Sequence, residues 1–244
     1  MPFDIGGFIF NGDRIENDAR AGIVTDGLVL HLDAGISESY PKSGTTWYDL
    51  SSNGNNGTLT NGPTYSSVNG GSITFDGTND HVNLNNTVSG SHQTIDIWLY
   101  SEVDIVNDTT TGAGGPIISD GSAVVVWMGG FTSGISGETF NVYSGSAGRV
   151  TAITDTITQG WHNFVLRWNG SYYDIFMESN QKSVVSRSEG HSFLLSNSFD
   201  EIGGRDAISQ YFIGDISIVR IYNRALSATE ITQNFNAQRA RFGV

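Results

Sequence analysis

Apolar and polar residues alternate along short stretches of this 244-residue chain. In TIDIWLYS (94–101) the apolar positions Ile95, Ile97 and Leu99 fall two apart, as do Phe164, Leu166 and Trp168 in WHNFVLRW (161–168). A period of two puts every second side chain on one face, so each stretch predicts a half-buried strand of an antiparallel sheet. LVLHL (28–32), SITF (72–75), AVVVWM (123–128), FNVYS (140–144), YYDIFM (172–177) and DISIVRIY (215–222) add β-branched and aromatic runs of strand length. Nine Asn-Gly or Asp-Gly pairs lie among them, four of them between residues 53 and 70. Such pairs readily adopt the positive φ that tight hairpin turns require. Many short strands divided by turn signals predict an all-β fold, a two-sheet antiparallel sandwich or jelly roll.

One stretch reads as helix. In Ser227-Ala-Thr-Glu230 the serine caps an orphan N–H and the glutamate reaches back to the cap, forming a capping box. Leu226 and Ile231 flank the cap as a hydrophobic staple, and Ile231 with Phe235 begins a single apolar stripe. The pattern predicts one short C-terminal helix, about 228–240, docked on a sheet edge.

Residues 1–26 follow neither period and read as an N-terminal arm ahead of a single domain, 27–244. The arm holds Phe3, Ile5, Phe8, Ile9 and Phe10. Burying each such side chain is worth roughly 1.5–3 kcal/mol, so the arm is expected to attach to a partner protein or to a second copy in a homo-oligomer. Gly6-Gly7 gives its backbone room to bend.

Charge narrows the partners. Twenty-five acidic against 12 basic residues give a net charge of −13, which repels phosphate backbones and anionic lipid, so no nucleic-acid partner is expected. The longest apolar run, 123–128, is too short to span a bilayer, and no membrane insertion is expected. The N-terminus, MPFDIGGFIFNGDR, has neither the basic start nor the apolar core of a secretory signal. The chain has no cysteine, which removes thiolate metal sites, a cysteine nucleophile and any disulfide framework.

Three stretches carry a resemblance. GLVLHLDAG (27–35), with SGTTWYDLSSNGNNGTLTNGPTY (43–65) and SITFDGTNDHVNL (72–84), resembles the opening of laminin-G-like, concanavalin A-like jelly-roll domains. TIDIWLY (94–100) and GWHNFVLRWNGSYYDIFMES (160–179) are similar to that family's long strands, and FIGDISIVRIYNRALSATEI (212–231) to its last strand and closing helix. The resemblance implies a sandwich of about a dozen strands, with the Asn-Gly-rich loops packed around Trp47 and Tyr48. It implies a lectin-like repertoire that includes sugar binding, protein binding and, in related folds, polysaccharide hydrolysis. The Asn-Gly-rich opening and the ending NRALSATEITQNFNA (223–237) are most similar to virion structural proteins of tailed, marine bacteriophages. That likeness implies a protein on the phage particle surface, a capsid decoration or cement protein, with other virion proteins as partners. The alternative is a tail-associated adhesin or carbohydrate-binding module recognising a host surface glycan, and a weaker alternative is a glycosidase.

Candidate chemistry is sparse. Glu102-Val-Asp104-Ile-Val-Asn107 resembles the Glu-x-Asp-x-x-Glu strand of laminarinase-type jelly rolls, in which the last carboxyl group is the acid/base. Retaining hydrolysis needs two carboxyl groups about 5 Å apart, and Asn107 cannot exchange a proton, so no catalytic residue is assigned and no enzyme is expected. Asp76, Asn79 and Asp80 in FDGTND offer the oxygen ligands that suit Ca²⁺; their other reading is as turn caps. In the resembling family an acidic residue of the last strand often completes such a site, and here that strand carries Ser217 and Ile218 instead. No other cofactor is expected. The histidines, 31, 81, 92, 162 and 191, share no metal-binding spacing, and His162 is expected to order the sheet. Trp127, Tyr143 and Tyr211 are aromatics that a loop-bearing fold can set against a pyranose ring, but a buried core role explains each more simply, and none is assigned to a site. Arg220 is expected in a structural ion pair or in carbonyl contacts.

Overall fold

The computed structural model describes residues 22–88, 94–105, 114–120, 124–129, 139–144, 148–153, 155–169, 173–182 and 199–244. Its strands in chain order are β1 (Leu28–Asp33), β2 (Thr46–Trp47), β3 (Gly57–Thr60), β4 (Thr64–Ser66), β5 (Ser72–Asp76) and β6 (His81–Val88). Next come β7 (Thr94–Ser101), β8 (Gly115–Ser119), β9 (Val124–Met128), β10 (Phe140–Ser144), β11 (Gly148–Ile153) and β12 (Gly160–Trp168). The last are β13 (Tyr173–Met177), β14 (Asn180–Gln181), β15 (Phe199–Ile202), β16 (Gly204–Arg205), β17 (Gln210–Tyr211) and β18 (Ile213–Tyr222), before the helix α1 (Ala228–Phe242).

Two antiparallel sheets of eight strands face each other. The first runs β14-β13-β12-β7-β18-β5-β4, with β1 also on β18; the second runs β11-β10-β9-β8-β15-β6-β3-β2, and β16 pairs β17 apart from both. The alternation in the sequence sets the inner face: Ile95, Ile97 and Leu99 of β7 and Phe164 and Leu166 of β12 enter one continuous core with Ile118, Val126 and Val142 of the second sheet. Phe140 and Phe164 stack across the sandwich with centroids 4.4 Å apart. The fold is the two-sheet jelly roll that the pattern and the resemblance predicted. Every stretch predicted as a strand lies wholly or largely in one.

The helix is present over the predicted stretch and departs from expectation in its place. It runs to Phe242 and lies on the outer face of the first sheet, not its edge, because β7, β12 and β18 turn apolar side chains outward as well as inward. Phe235 and Phe242 pack with Trp98, Trp161 and Ile218, and Trp98 stacks on Phe242 at 4.3 Å and on Phe235 at 5.6 Å. The predicted cap is present: Ser227 Oγ accepts the Glu230 N–H at 3.2 Å and Glu230 Oε2 accepts the Ser227 N–H at 2.8 Å. The staple residues Leu226 and Ile231 share a second cluster with Val24, Val165, Phe176 and Tyr222.

Val24 shows that the packed domain begins by residue 22 and not at 27. Its N–H donates to Asn234 Oδ1 at 2.8 Å, its carbonyl accepts from the Tyr222 hydroxyl at 3.0 Å, and Gly22 O accepts from Gln233 Nε2 at 2.8 Å. The arm's Phe3, Ile5, Phe8, Ile9 and Phe10 lie outside the described residues.

Two glycine-containing pairs expected at hairpins instead carry the chain between sheets. Asn61-Gly62 links β3 of the second sheet to β4 of the first, and Asp76-Gly77 links β5 of the first to β6 of the second. Asn61 takes the left-handed φ of 68° that its short polar side chain tolerates. Of the two aromatics expected within the opening loops, Trp47 is fully buried while Tyr48 is 45% exposed.

Candidate functional site

Where β5 and β18 of the first sheet meet β8 of the second, the backbone is stitched across the sandwich. Ile213 pairs with Asp76 across β5 and β18, and its N–H donates to Gly114 O at 2.8 Å. Gly114 and Gly115 hold φ of 76° and 125°, outside the reach of ordinary side chains. A β-carbon on Gly115 would meet Tyr211 O at 2.5 Å, and one on Gly114 would strike Met128 O. Close approach of bare backbone therefore leaves a groove of about 260 Å³, lined by Asp76, Gly77, Gly114, Gly115, Trp127, Tyr211 and Ile213.

Its aromatic walls are held from behind. The Tyr211 hydroxyl donates to Asp206 Oδ1 at 2.6 Å, and that carboxylate pushes the phenol pKa up. The Tyr211 ring lies against His81, centroids 6.1 Å apart and planes 29° from parallel. His81 is fixed in turn: its Nδ1 donates to Asn79 O at 3.0 Å and its Nε2 accepts from Asn83 Nδ2 at 3.1 Å. Trp127, 9% exposed, closes the other wall.

Of the residues weighed for Ca²⁺, Asp76 enters the groove lining and Asn79 and Asp80 do not. Asp76 Oδ1 accepts the N–H of Thr78 at 2.8 Å and of Asn79 at 3.5 Å, and these bonds, Thr78 first, hold its carboxyl below the usual range. Asp80 is buried, which pushes its carboxyl up, and its Oδ2 accepts the Asp76 N–H at 3.2 Å. Both carboxylates thus serve as turn caps. Among the described residues no group of three or more His, Asp or Glu side chains is arranged to hold a metal ion.

The other candidates are scattered. Asp104 Oδ1 accepts the Gln159 N–H at 2.6 Å, Glu102 is exposed, and Asn107 lies outside the described residues, as do His92 and His191. His162 orders the sheet as expected, with Nδ1 2.9 Å from Glu178 Oε1 and Nε2 2.8 Å from Thr158 O. Asp215 of β18 takes the Thr74 hydroxyl. The side chain of Tyr143 is outside the described set.

Sequence reasoning named Trp127, Tyr211 and Asp76 separately and did not bring them together. The hint was Gly114-Gly115, a pair that a strand tolerates only where backbone must approach closely.

A family model described as the concanavalin A-like lectin/glucanases superfamily, a laminin-G-type model, matches residues 76–232, and the chain belongs to that family. No curated protein matches it. Among solved structures it resembles domain 4 of AbnA, an extracellular arabinanase from Geobacillus stearothermophilus, in complex with arabinotriose. The TM-score is 0.61 at 16% identity, over 85% of this chain and 97% of that one. It also resembles the binding domain of Paraclostridial Mosquitocidal Protein 1, with TM-score 0.59 at 15% identity over 87% of this chain and 52% of that one. The botulinum neurotoxin serotype D ligand-binding domain in complex with N-acetylneuraminic acid gives 0.57 at 13% identity, over 91% and 53%. The chain spans about half of each toxin domain. At these identities the likeness is one of fold: the chain has a lectin-like jelly roll.

Proposed function

We propose that this chain is a non-enzymatic, glycan-recognising domain whose sugar site is the groove of Trp127, Tyr211 and Asp76. The observation that carries the reading is the combination of two aromatic side chains with one carboxylate in a recess otherwise formed by glycine backbone and Ile213. Aromatic faces take the C–H side of a sugar ring, while a carboxylate accepts charge-assisted bonds from its hydroxyls. The solved complexes with arabinotriose and N-acetylneuraminic acid lend support at the level of fold alone. The non-enzymatic part rests on the lining, which offers one carboxyl group where glycoside hydrolysis commonly uses a pair flanking the bond. A glycan array with the full chain tests the reading: retention of defined oligosaccharides without release of reducing ends is expected. Reducing ends that vanish on Glu102→Gln would contradict it.

Placement on a bacteriophage particle is a second layer of the proposal. It rests on the resemblance of 44–65 and 223–237 to virion structural proteins. A sugar groove favours a tail-associated adhesin; the five large apolar side chains of the arm favour a capsid decoration protein bound to its neighbours. Density for the chain in particle images separates the two, at the tail tip for the first and across the capsid lattice for the second.

A further inference from the structure

Charge is distributed unevenly along the chain. Residues 43–148 contain nine carboxylates and not one lysine or arginine. That span supplies six of the eight strands of the second sheet and five of the seven residues lining the groove. Among the described residues, four arginines on or beside the first sheet and its helix have anionic partners. Arg220 bonds Asp96, Arg167 bonds Asp174, Arg224 bonds Glu230 and Arg241 bonds Asp33.

The groove's surroundings follow the same division. Asp76 lines it, Asp80 sits behind Asp76, Asp206 holds Tyr211, and Glu201 Oε2 accepts the Asp206 N–H at 2.8 Å. The nearby cation is Arg205, which is buried, lies outside the lining and donates to Gln210 Oε1 at 3.4 Å. His81 faces Tyr211 with both ring nitrogens already bonded.

Resting on the glycan reading above, we infer that the groove takes uncharged sugar and rejects glycans bearing a carboxylate or sulfate at the docked residue. A ligand anion there would meet Asp76 at contact distance with no cation in the lining to replace its lost water. Like charges brought together at an interface cost enough to set specificity. A neutral sugar presents hydroxyl donors, which a carboxylate and backbone carbonyls accept.

The test uses the full chain and matched probes: neutral arabino- and galacto-oligosaccharides, and the same galactosides capped with sialic acid or sulfate. Binding of a neutral probe is expected, with at least about tenfold weaker binding once it is capped by an anion. Raising the salt concentration, or the rim change Glu201→Gln, is expected to narrow that gap, because screening weakens repulsion between exposed charges. Equal or tighter binding of the capped probes overturns the inference while leaving glycan recognition intact. A gap that ignores both salt and Glu201→Gln overturns its electrostatic cause. Binding of no glycan at all overturns both readings together.

Discussion

Arg220 Nη1 donates to Asp96 Oδ2 at 3.0 Å, and their side chains are 0% and 1% exposed. They sit on β18 and β7 as register partners, on the face of the first sheet that the helix covers. Asp96 Oδ1 takes a second bond from Asn163 at 2.7 Å, and Asn234 of the helix reaches Asp96 Oδ2 at 3.3 Å and the Tyr222 hydroxyl at 2.9 Å. Burial pushes the Tyr222 phenol up to about 12. The network ties helix to sheet through groups that water cannot reach, so each depends on the others for its solvation.

Breaking this pair from one side is therefore expected to be severe. Asp96→Ala leaves a buried guanidinium without its counter-charge and should cost about 3–5 kcal/mol in denaturant unfolding. A paired change to apolar residues, Asp96→Leu with Arg220→Met, should recover most of the loss. A mild effect of Asp96→Ala alone would mean that the pair is reached by solvent.

Helix docking and helix capping should separate by magnitude. Phe242→Ala removes the ring stacked on Trp98 at 4.3 Å and beside Trp161 at 4.7 Å, with an expected loss of about 3–5 kcal/mol. Ser227→Ala deletes only the cap, for about 0.5–2 kcal/mol. Chemical melts of the two variants, followed by tryptophan fluorescence, rank them; similar small losses would mean that the helix contributes little to the folded core.

Acid should weaken the same junction. Arg224, and then the Ser227 N–H, hold the Glu230 carboxyl down at about 2 against an ordinary value of 4.5. Between these values the unfolded chain binds the proton that the folded chain refuses, so stability falls as pH falls. The contribution is complete above about pH 4.5 and gone below about pH 2. Because Glu230 is partly exposed, solvent screening keeps it small. Comparing melts of wild type and Glu230→Gln across this window should show a shallower acid limb in the variant. Identical limbs would assign the acid sensitivity elsewhere.

Gly115 couples the groove to the fold. At φ of 125°, with Tyr211 O 2.5 Å from where a β-carbon would stand, Gly115→Ala is expected to lose about 1–3 kcal/mol through backbone strain and to shift the Tyr211 wall. Unchanged stability in thermal melts would mean that the groove floor is pliable.

Much of this architecture can be read from local periodicity, because alternation in β7 and β12 needs only neighbouring residues. The capping box is also local, spanning Ser227 to Glu230. What escapes is the outer face: Asp96, Trp98 and Tyr100 read as solvent-facing positions until the helix and the segment from Gly22 are laid over them. Strand β6, HVNLNNTV, is too polar for its period to stand out, and β8 opens with Gly-Pro. The groove is less legible still, since Asp76, Gly115, Trp127 and Tyr211 come from four strands, of which only β8 and β9 are neighbours in the chain. Local pattern carries no record of which turns meet at one end of a sandwich.

A crystal structure of the full chain soaked with a neutral oligosaccharide that it binds tests the sugar site most directly. The expected result is a sugar ring set against Trp127 and Tyr211, with a hydroxyl within hydrogen-bond distance of Asp76, and binding abolished in Tyr211→Ala. A sugar seated elsewhere on the sandwich, with Tyr211→Ala binding as wild type does, would contradict it.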